Sequence, residues 1–261
     1  QGIARLIYID PPFNTGRRRR HTAVRTERSQ HGDRMGFGGH RYRTTALDTL
    51  HWDDAFDDYL EFLAPRLTEA RRLLAADGSL FFHIDAREAH YCKILLDAVF
   101  GRDSFMNEII WAYDYGGRTR RRWPAKHDTI FWYVIDPQRY VFRYDHIDRI
   151  PYLAPSLAGA AKAARGKTPT DVWWHTIVSP TGKEKTGYPT QKPVKILERI
   201  VSVHSEPDDL VVDFFAGSGT TGEAAARLGR RYLLVDRNPD AVAVMAKRLA
   251  WDEPELITHR P

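Results

Sequence analysis

The chain has 261 residues, 43% of them hydrophobic and 28% charged, and a formal net charge of +5. That length suits one globular domain with a full core and room for a small insertion. The single cysteine, Cys92, excludes an internal disulfide; no apolar run reaches membrane-span length, and no secretory signal is visible. A reducing, intracellular setting fits this cysteine usage. The chain opens on Gln1, a few residues before a strand, so the natural N-terminus is expected upstream.

In chain order, "ARLIYI" (4–9) reads as a fully buried strand. Residues 14–45 follow, with nine arginines against Glu27 and Asp33, a local charge of +7 that leaves −2 for the rest. Gly32, Gly36, Gly38 and Gly39 and the lack of an apolar period predict a long mobile basic loop, either a solvated arginine tract or a polyanion contact. Residues 54–76 predict an amphipathic helix with Tyr59, Leu60, Leu63 and Leu67 on one face and a kink at Pro65. A turn at Asp77-Gly78 leads to a second buried strand, "SLFFHI" (79–84). Asp85 closes it and is expected to cap the helix over 86–99, where Cys92 reads as an inert core thiol.

Strands are predicted at 105–114 and 129–135, joined by "GGRTRRRWPAK" (116–126), which holds Arg118, Arg120, Arg121 and Arg122 and no acid. Two basic patches with interleaved aromatics point to nucleic acid. Residues 136–190 are the least regular; Trp173 and Trp174 suit core packing and stacking on DNA equally. Helix 193–204, strand 210–215, helix 220–228, strand 231–235 and helix 239–250 complete the chain. Strands alternating with helices predict an α/β fold with a mostly parallel sheet covered on both faces. The 11 histidines show no metal-ligand spacing, so no metal is expected.

Two constellations carry chemistry. In "LVVDFFAGSGTTGEAAARLG" (210–229) a strand ends at Asp213, a glycine loop follows, and a helix opens near Thr220. Glycines let backbone N–H groups approach a ligand, and the helix N-terminus favours an anionic group. The next strand leads to Asp236, where an acid accepts hydrogen bonds from ribose hydroxyls. Gly217, Gly219 and Gly222 spell G-x-G-x-x-G, so a dinucleotide oxidoreductase and a plain glycine-rich turn are rivals. Asp213 would repel a pyrophosphate and welcome an amino-acid ammonium, as in S-adenosylmethionine. The other constellation is "LIYIDPPFNTG" (6–16), an apolar strand running into an acid, two prolines and a ring.

Taken together, "DPPF" (10–13) and "DFFAGSG" (213–219) resemble the two signature motifs of the DNA amino-methyltransferases, in the order of the beta-type permutation. "TQKPVKILERIV" (190–201) is similar to the motif that precedes the cofactor strand in that family. "WDDAFDDYLEFLAPRL" and "GSLFFHIDAREAHY" resemble its adenine-modifying, type III-like branch. The likeness covers nearly the whole chain except 14–45 and about 136–186.

It implies a Rossmann-like, seven-stranded methyltransferase domain: a catalytic half (1–135), a short target-recognition insertion (136–189) and a cofactor half (190–261). S-adenosylmethionine would be bound by Asp213, Phe215, Ala216, Gly217, Ser218, Gly219, Thr220, Asp236 and Asn238, with Thr190, Lys192 and Pro193 lining the site. Asp10 and the Pro11 carbonyl would accept hydrogen bonds from the amine, Pro11 and Pro12 would stiffen the backbone, and Phe13 would stack on the base. The partner would be double-stranded DNA with a flipped target base, contacted by Arg17, Arg18, Arg19, Arg20, Arg118, Arg120, Arg121 and Arg122. A homodimer and a cognate restriction subunit stay open as partners, in a cytoplasmic setting, prokaryotic or phage-encoded. Adenine N6 is the expected target, with cytosine N4 the alternative. An amide or RNA methyltransferase and a non-catalytic DNA-binding relic also remain open.

Overall fold

The computed structural model describes residues 2–32, 34–35, 40–54, 56–179 and 182–257. In chain order the elements are β1 (Ala4–Ile9), β2 (Arg17–Arg28), β3 (Arg34–Met35), β4 (Arg41–Asp54), α1 (Tyr59–Leu73), β5 (Leu74–Asp85), α2 (Ala89–Phe100), β6 (Phe105–Ala112) and β7 (His127–Val134). Then come α3 (Pro155–Ala158), α4 (Ala160–Arg165), β8 (Val172–Trp174), α5 (Val194–His204), β9 (Leu210–Asp213), α6 (Thr220–Arg227), β10 (Arg231–Leu234) and α7 (Pro239–Leu249). They divide into two compact units: 1–13 with 58–261, and 14–57.

The larger unit is built on a seven-stranded sheet of order β10-β9-β1-β5-β7-β6-β8. β10, β9, β1 and β5 are mutually parallel, β7 runs antiparallel to β5 and β6, and β8 is parallel to β6. Strands buried on both faces need continuous apolar runs, and β1 and β5 supply them: Leu6, Ile7, Ile9, Leu80, Phe81, Phe82 and Ile84 are fully buried. One face packs against α5 and α6 through Leu6, Tyr8, Phe81, Trp132, Leu197, Ile200, Ala224 and Ala225. The sequence order reverses at β1: β5 lies on one side, while β9, some 200 residues later, lies on the other. In open parallel sheets the carboxyl ends of the strands at such a switch point form a ligand crevice.

The expected helices and strands of this unit recur with shifts at their ends. α1 starts later than expected because Asp54 belongs to β4; its cap is Asp58, whose side chain accepts from the Glu61 N–H, and Pro65 lies inside the helix. The expected turn at Asp77-Gly78 is absorbed into β5, where an irregular register against β1 between Ala4 and Leu6 takes up the extra residues. Asp85 does not cap α2; Glu88 holds that position, and Asp85 accepts instead from the backbone N–H of Arg87 at 3.0 Å. Residues 136–189 belong to the larger unit, with the Arg143 N–H bonded to the Val203 carbonyl and Asp148 paired with Arg199 of α5. Trp173 is buried in the core, whereas Trp174 is exposed.

The smaller unit corrects the expectation of a loop without regular structure over 14–45. Arg17–Arg28 pairs antiparallel with Arg41–Asp54 over a register running from Arg17↔Asp54 to Arg28↔Tyr42. An irregularity between Ala23 and Val24 breaks the ladder, and β3 pairs with the start of β4. The arginine run hid a segment rich in strand-forming threonine and valine (Thr22, Val24, Thr26, Thr44, Thr45, Thr49). The ends of the unit meet: the Gly16 N–H donates to the Asp54 carbonyl, and the Phe56 N–H to Asn14 Oδ1. Of the glycines expected in that loop, Gly36, Gly38 and Gly39 lie outside the described residues.

Candidate active site

Asp10 follows directly on β1, Asp213 ends β9, and Asp236 stands two residues beyond β10. Adjacent strands lie about 4.8 Å apart. Three carboxylates scattered over the sequence therefore share one edge of the sheet.

The Asp10 side chain is largely buried. Its Oδ2 accepts from Lys192 Nζ at 2.5 Å, while Oδ1 is buried and has no hydrogen-bond partner among the described residues. Lys192, expected at the cofactor, is thus paired with Asp10, and its Nζ also sits 4.9 Å from the centre of the Phe13 ring. Tyr59 donates to the Pro12 carbonyl at 2.5 Å, tying the DPPF turn to α1. Phe13 is half-buried, and its ring lies 5.8 Å from that of His83.

Beneath Asp10 lies a polar network that sequence reasoning missed. His83 is fully buried in β5. Its Nε2 is 3.1 Å from Asp128 Oδ2, and its Nδ1 is 2.6 Å from the Tyr8 hydroxyl. Tyr113 donates to the other Asp128 oxygen at 3.0 Å. A carboxylate can only accept, so Nε2 carries the proton and Nδ1 accepts from Tyr8. Burial and the carboxylates Asp10, Asp213 and Asp128 push the Tyr8 hydroxyl well up, so it remains a donor. For Asp128, burial raises the carboxyl, but His83, Lys192 and Tyr113 outweigh it and hold it below the usual range. The available signal was one imidazole inside an otherwise apolar strand, since a buried polar group requires partners.

The glycine loop is braced from below. Asp213 is buried; its Oδ1 accepts from the Phe215 N–H at 2.9 Å and its Oδ2 from the Thr221 hydroxyl at 2.6 Å. It therefore positions the loop. Burial pushes its carboxyl up to about 7, against those two hydrogen bonds. Gly217 and Gly219 have φ of +50° and +76°, a region that favours glycine, and a Cβ on Gly219 would stand 2.8 Å from Met245 Cγ. Ser218 and Thr220 are buried and bonded to Arg248 of α7, whose side chain is buried and which was not singled out from sequence. Ala216 is buried and Phe215 half-buried.

Asp236 is half-buried; its Oδ2 accepts from the Gly217 N–H and its Oδ1 from the Asn238 N–H, both at 2.9 Å. Asn238 in turn caps α7 through Asp240 N–H. Thr190 is exposed at φ +61°, bonded to the Pro189 carbonyl, while Pro193 is buried as the cap of α5. Arg118, Arg120, Arg121 and Arg122 are exposed in the connection between β6 and β7, and Arg118 is ion-paired with Asp114. The expectation placed on Arg17, Arg18, Arg19 and Arg20 falls on side chains outside those described. Among the described residues no cluster of metal-ligating side chains occurs.

A mostly parallel sheet with a glycine loop and a carboxylate on neighbouring strand ends is a Rossmann-like α/β arrangement. The chain belongs to the N6/N4 DNA methylase family, which it matches over residues 4–248. It is 28% identical over 244 residues to the Type II methyltransferase M.HpaI of Haemophilus parainfluenzae, spanning 94% of this chain and 67% of that protein. It is 27% identical over 258 residues to the DNA adenine methyltransferase YhdJ of Escherichia coli (strain K12), spanning 94% and 75%. Among solved structures, the M1.HpyAVI–SAM complex aligns with a TM-score of 0.55 at 25% identity, over 74% of this chain and 85% of that one. The cytosine-N4-specific PvuII DNA methyltransferase shares the fold, with a TM-score of 0.57 at 20% identity, over 73% and 70%.

Proposed function

We propose that this chain transfers the methyl group of S-adenosylmethionine to the N6 amino group of adenine in double-stranded DNA. The observation that carries the reading is the placement of Asp10-Pro11-Pro12-Phe13 at the end of β1, beside the glycine loop that ends β9. Family membership and the adenine methyltransferase YhdJ among the relatives support it. They also weigh against the dinucleotide oxidoreductase.

The residues fit the cofactor. Gly217 and Gly219 take positive φ, with Tyr188 against the first and Met245 against the second, and Asp236 is tied to the Gly217 and Asn238 N–H groups. Asp236 would accept from the ribose hydroxyls; Phe215, Ala216, Ser218, Thr220, Thr190 and Pro193 would complete the walls, and Asp213 would hold the loop in shape. When bound, the sulfonium supplies an electrophilic methyl group.

The chain supplies the acceptor. An exocyclic amine is a weak nucleophile because its lone pair is delocalised into the base, and acceptors aimed at its N–H groups favour the pyramidal form. Asp10 supplies one and the Pro11 carbonyl a second. Phe13 stacks on the extruded base, a contact worth about 1–3 kcal/mol. Lys192 neutralises Asp10 until the amine competes for the carboxylate. Catalysis is then chiefly positioning and electrostatics. Arg17–Arg20, Arg118 and Arg120–Arg122 contact phosphates, and 136–189 contributes to target recognition. The reading keeps a second copy of the chain and a cognate restriction subunit as candidate partners, and bacterial relatives support a prokaryotic cytoplasmic setting.

The test is to express the chain in a methylation-free host, digest the DNA to nucleosides and weigh them. N6-methyladenine is expected. N4-methylcytosine alone would overturn the adenine assignment and leave the mechanism standing; no methylated base, with cofactor binding intact, would overturn the enzyme reading.

A further inference from the structure

We propose that His83 is a positioning residue that takes, through Asp10, the proton released when the base amine is methylated. The proposal rests on the methyl-transfer reading above. A neutral amine that attacks the sulfonium methyl forms a C–N bond as the C–S bond breaks, and the bonding pair leaves on sulfur as a neutral thioether. The nitrogen is left cationic with one proton too many. That proton has to leave the nitrogen.

The geometry supplies one. Lys192 occupies Asp10 Oδ2, so Oδ1 is the oxygen without a partner among the described residues, and it lies 3.9 Å from His83 Nδ1. That separation is about 1 Å beyond a hydrogen bond, a distance that catalytic contacts close only in the loaded site. Nδ1 carries a lone pair, because Nε2–H is committed to Asp128. Once the Tyr8 hydroxyl turns from Nδ1, the proton passes from the amine to Asp10 and on to the imidazole. The resulting imidazolium stands between two carboxylates, Asp10 and Asp128.

The ring cannot swing away to do anything else. Phe13 packs at 5.8 Å and Trp111 edge-on at 5.6 Å. The titratable groups that face or influence it come from every neighbouring element: Tyr8 and Asp10 at β1, Asp128 on β7, Tyr113 beyond β6, Lys192 before α5, and Asp213 of β9 through Tyr8. From Asp128 the half-buried Tyr113 continues toward the surface.

A purely structural histidine would satisfy Tyr8 and Asp128 and do no more, and glutamine can imitate that: its carbonyl accepts from Tyr8 and its amide donates to Asp128. Single-turnover transfer of labelled methyl to duplex DNA, measured from pH 5.5 to 9, separates the roles. In the wild type the rate should fall on the acid side. His83→Gln should lower the plateau by about 10²–10⁴-fold, the range of a general base, and flatten the acid limb, with cofactor affinity by calorimetry within about twofold of the wild type. Asp128→Asn, which removes one of the two carboxylates holding the imidazolium, should move the acid limb to lower pH. In the ligand-free protein the imidazole nitrogen NMR signals should report the Nε2–H tautomer at pH 8.

An unmoved pH profile in His83→Gln, or the Nδ1–H tautomer, would overturn the inference. Should His83→Gln fail to fold, an unshifted limb in Asp128→Asn overturns it equally. A wild type that transfers no methyl group would overturn the parent reading and this one with it; an active wild type with unmoved variants overturns this one alone.

Discussion

Asp213→Asn isolates one buried charge. In the folded chain burial pushes this carboxyl from 3.8 up to about 7, with the neighbouring Asp10 and Asp236 adding to the effect and bonds from Thr221 and Phe215 opposing it. A raised carboxyl pKa means that the folded protein holds the proton more tightly than the unfolded chain. The favourable contribution is therefore complete below about pH 4 and is lost as pH rises through about 7. The whole gap corresponds to an upper bound of about 4 kcal/mol, of which about 2.5 kcal/mol falls between pH 5 and pH 8. Asparagine keeps the shape and cannot ionise; its carbonyl can accept from the Phe215 N–H and its amide can donate to the Thr221 hydroxyl. Urea unfolding of both proteins at pH 5, 6, 7 and 8, followed by tryptophan fluorescence, gives the difference in stability with other titrations cancelled. The variant should gain on the wild type steadily up to about pH 7 and level off beyond it. A difference that stays constant from pH 5 to pH 8 would refute the reasoning.

Asp236→Ala removes the acceptor of the Gly217 N–H and of the proposed ribose contact, so calorimetry should show S-adenosylmethionine weakened by about 1.5–3 kcal/mol, the worth of a charge-assisted hydrogen bond. Saturable binding of NAD in place of S-adenosylmethionine would contradict the cofactor assignment. Replacing Arg17–Arg20 with serine should flatten the salt dependence of DNA binding, lowering the slope of log affinity against log salt by up to about 0.9 for each phosphate no longer neutralised; an unchanged slope would place the phosphate contacts elsewhere.

The larger unit was legible because its strands are buried on both faces. Runs such as "LIYI" and "LFFHI" have no other stable place in water, and the glycine and proline signals between them fix the turns. The DPPF and glycine-loop motifs were legible because both are local: each needs only consecutive residues. What stayed hidden depends on distant pairs. Lys192 and Asp10 lie 182 residues apart, and only the seating of β9 beside β1 brings α5 near enough to join them. His83 reads as a misplaced polar residue until Tyr8 and Asp128, the latter held by Tyr113, converge on it from other segments. The hairpin at 17–54 was hidden for another reason: four successive arginines carry no period-2 pattern, so charge drowned the strand signal in the threonines that follow.

The central seat of β1 also sets a schedule for synthesis. Its partner on one side, β5, is made early, whereas β9 follows about 125 residues later. At ribosomal speeds of about 5–20 residues per second that delay is about 6–25 s. Through it, one flank of an apolar strand waits unmatched, an invitation to pair with a neighbouring nascent chain on the same message. Crowded translation should therefore cost yield more than slow translation does. Lys192 also emerges late, so the Asp10 carboxylate spends the same interval without its counter-ion, and no half-made chain possesses an assembled pocket.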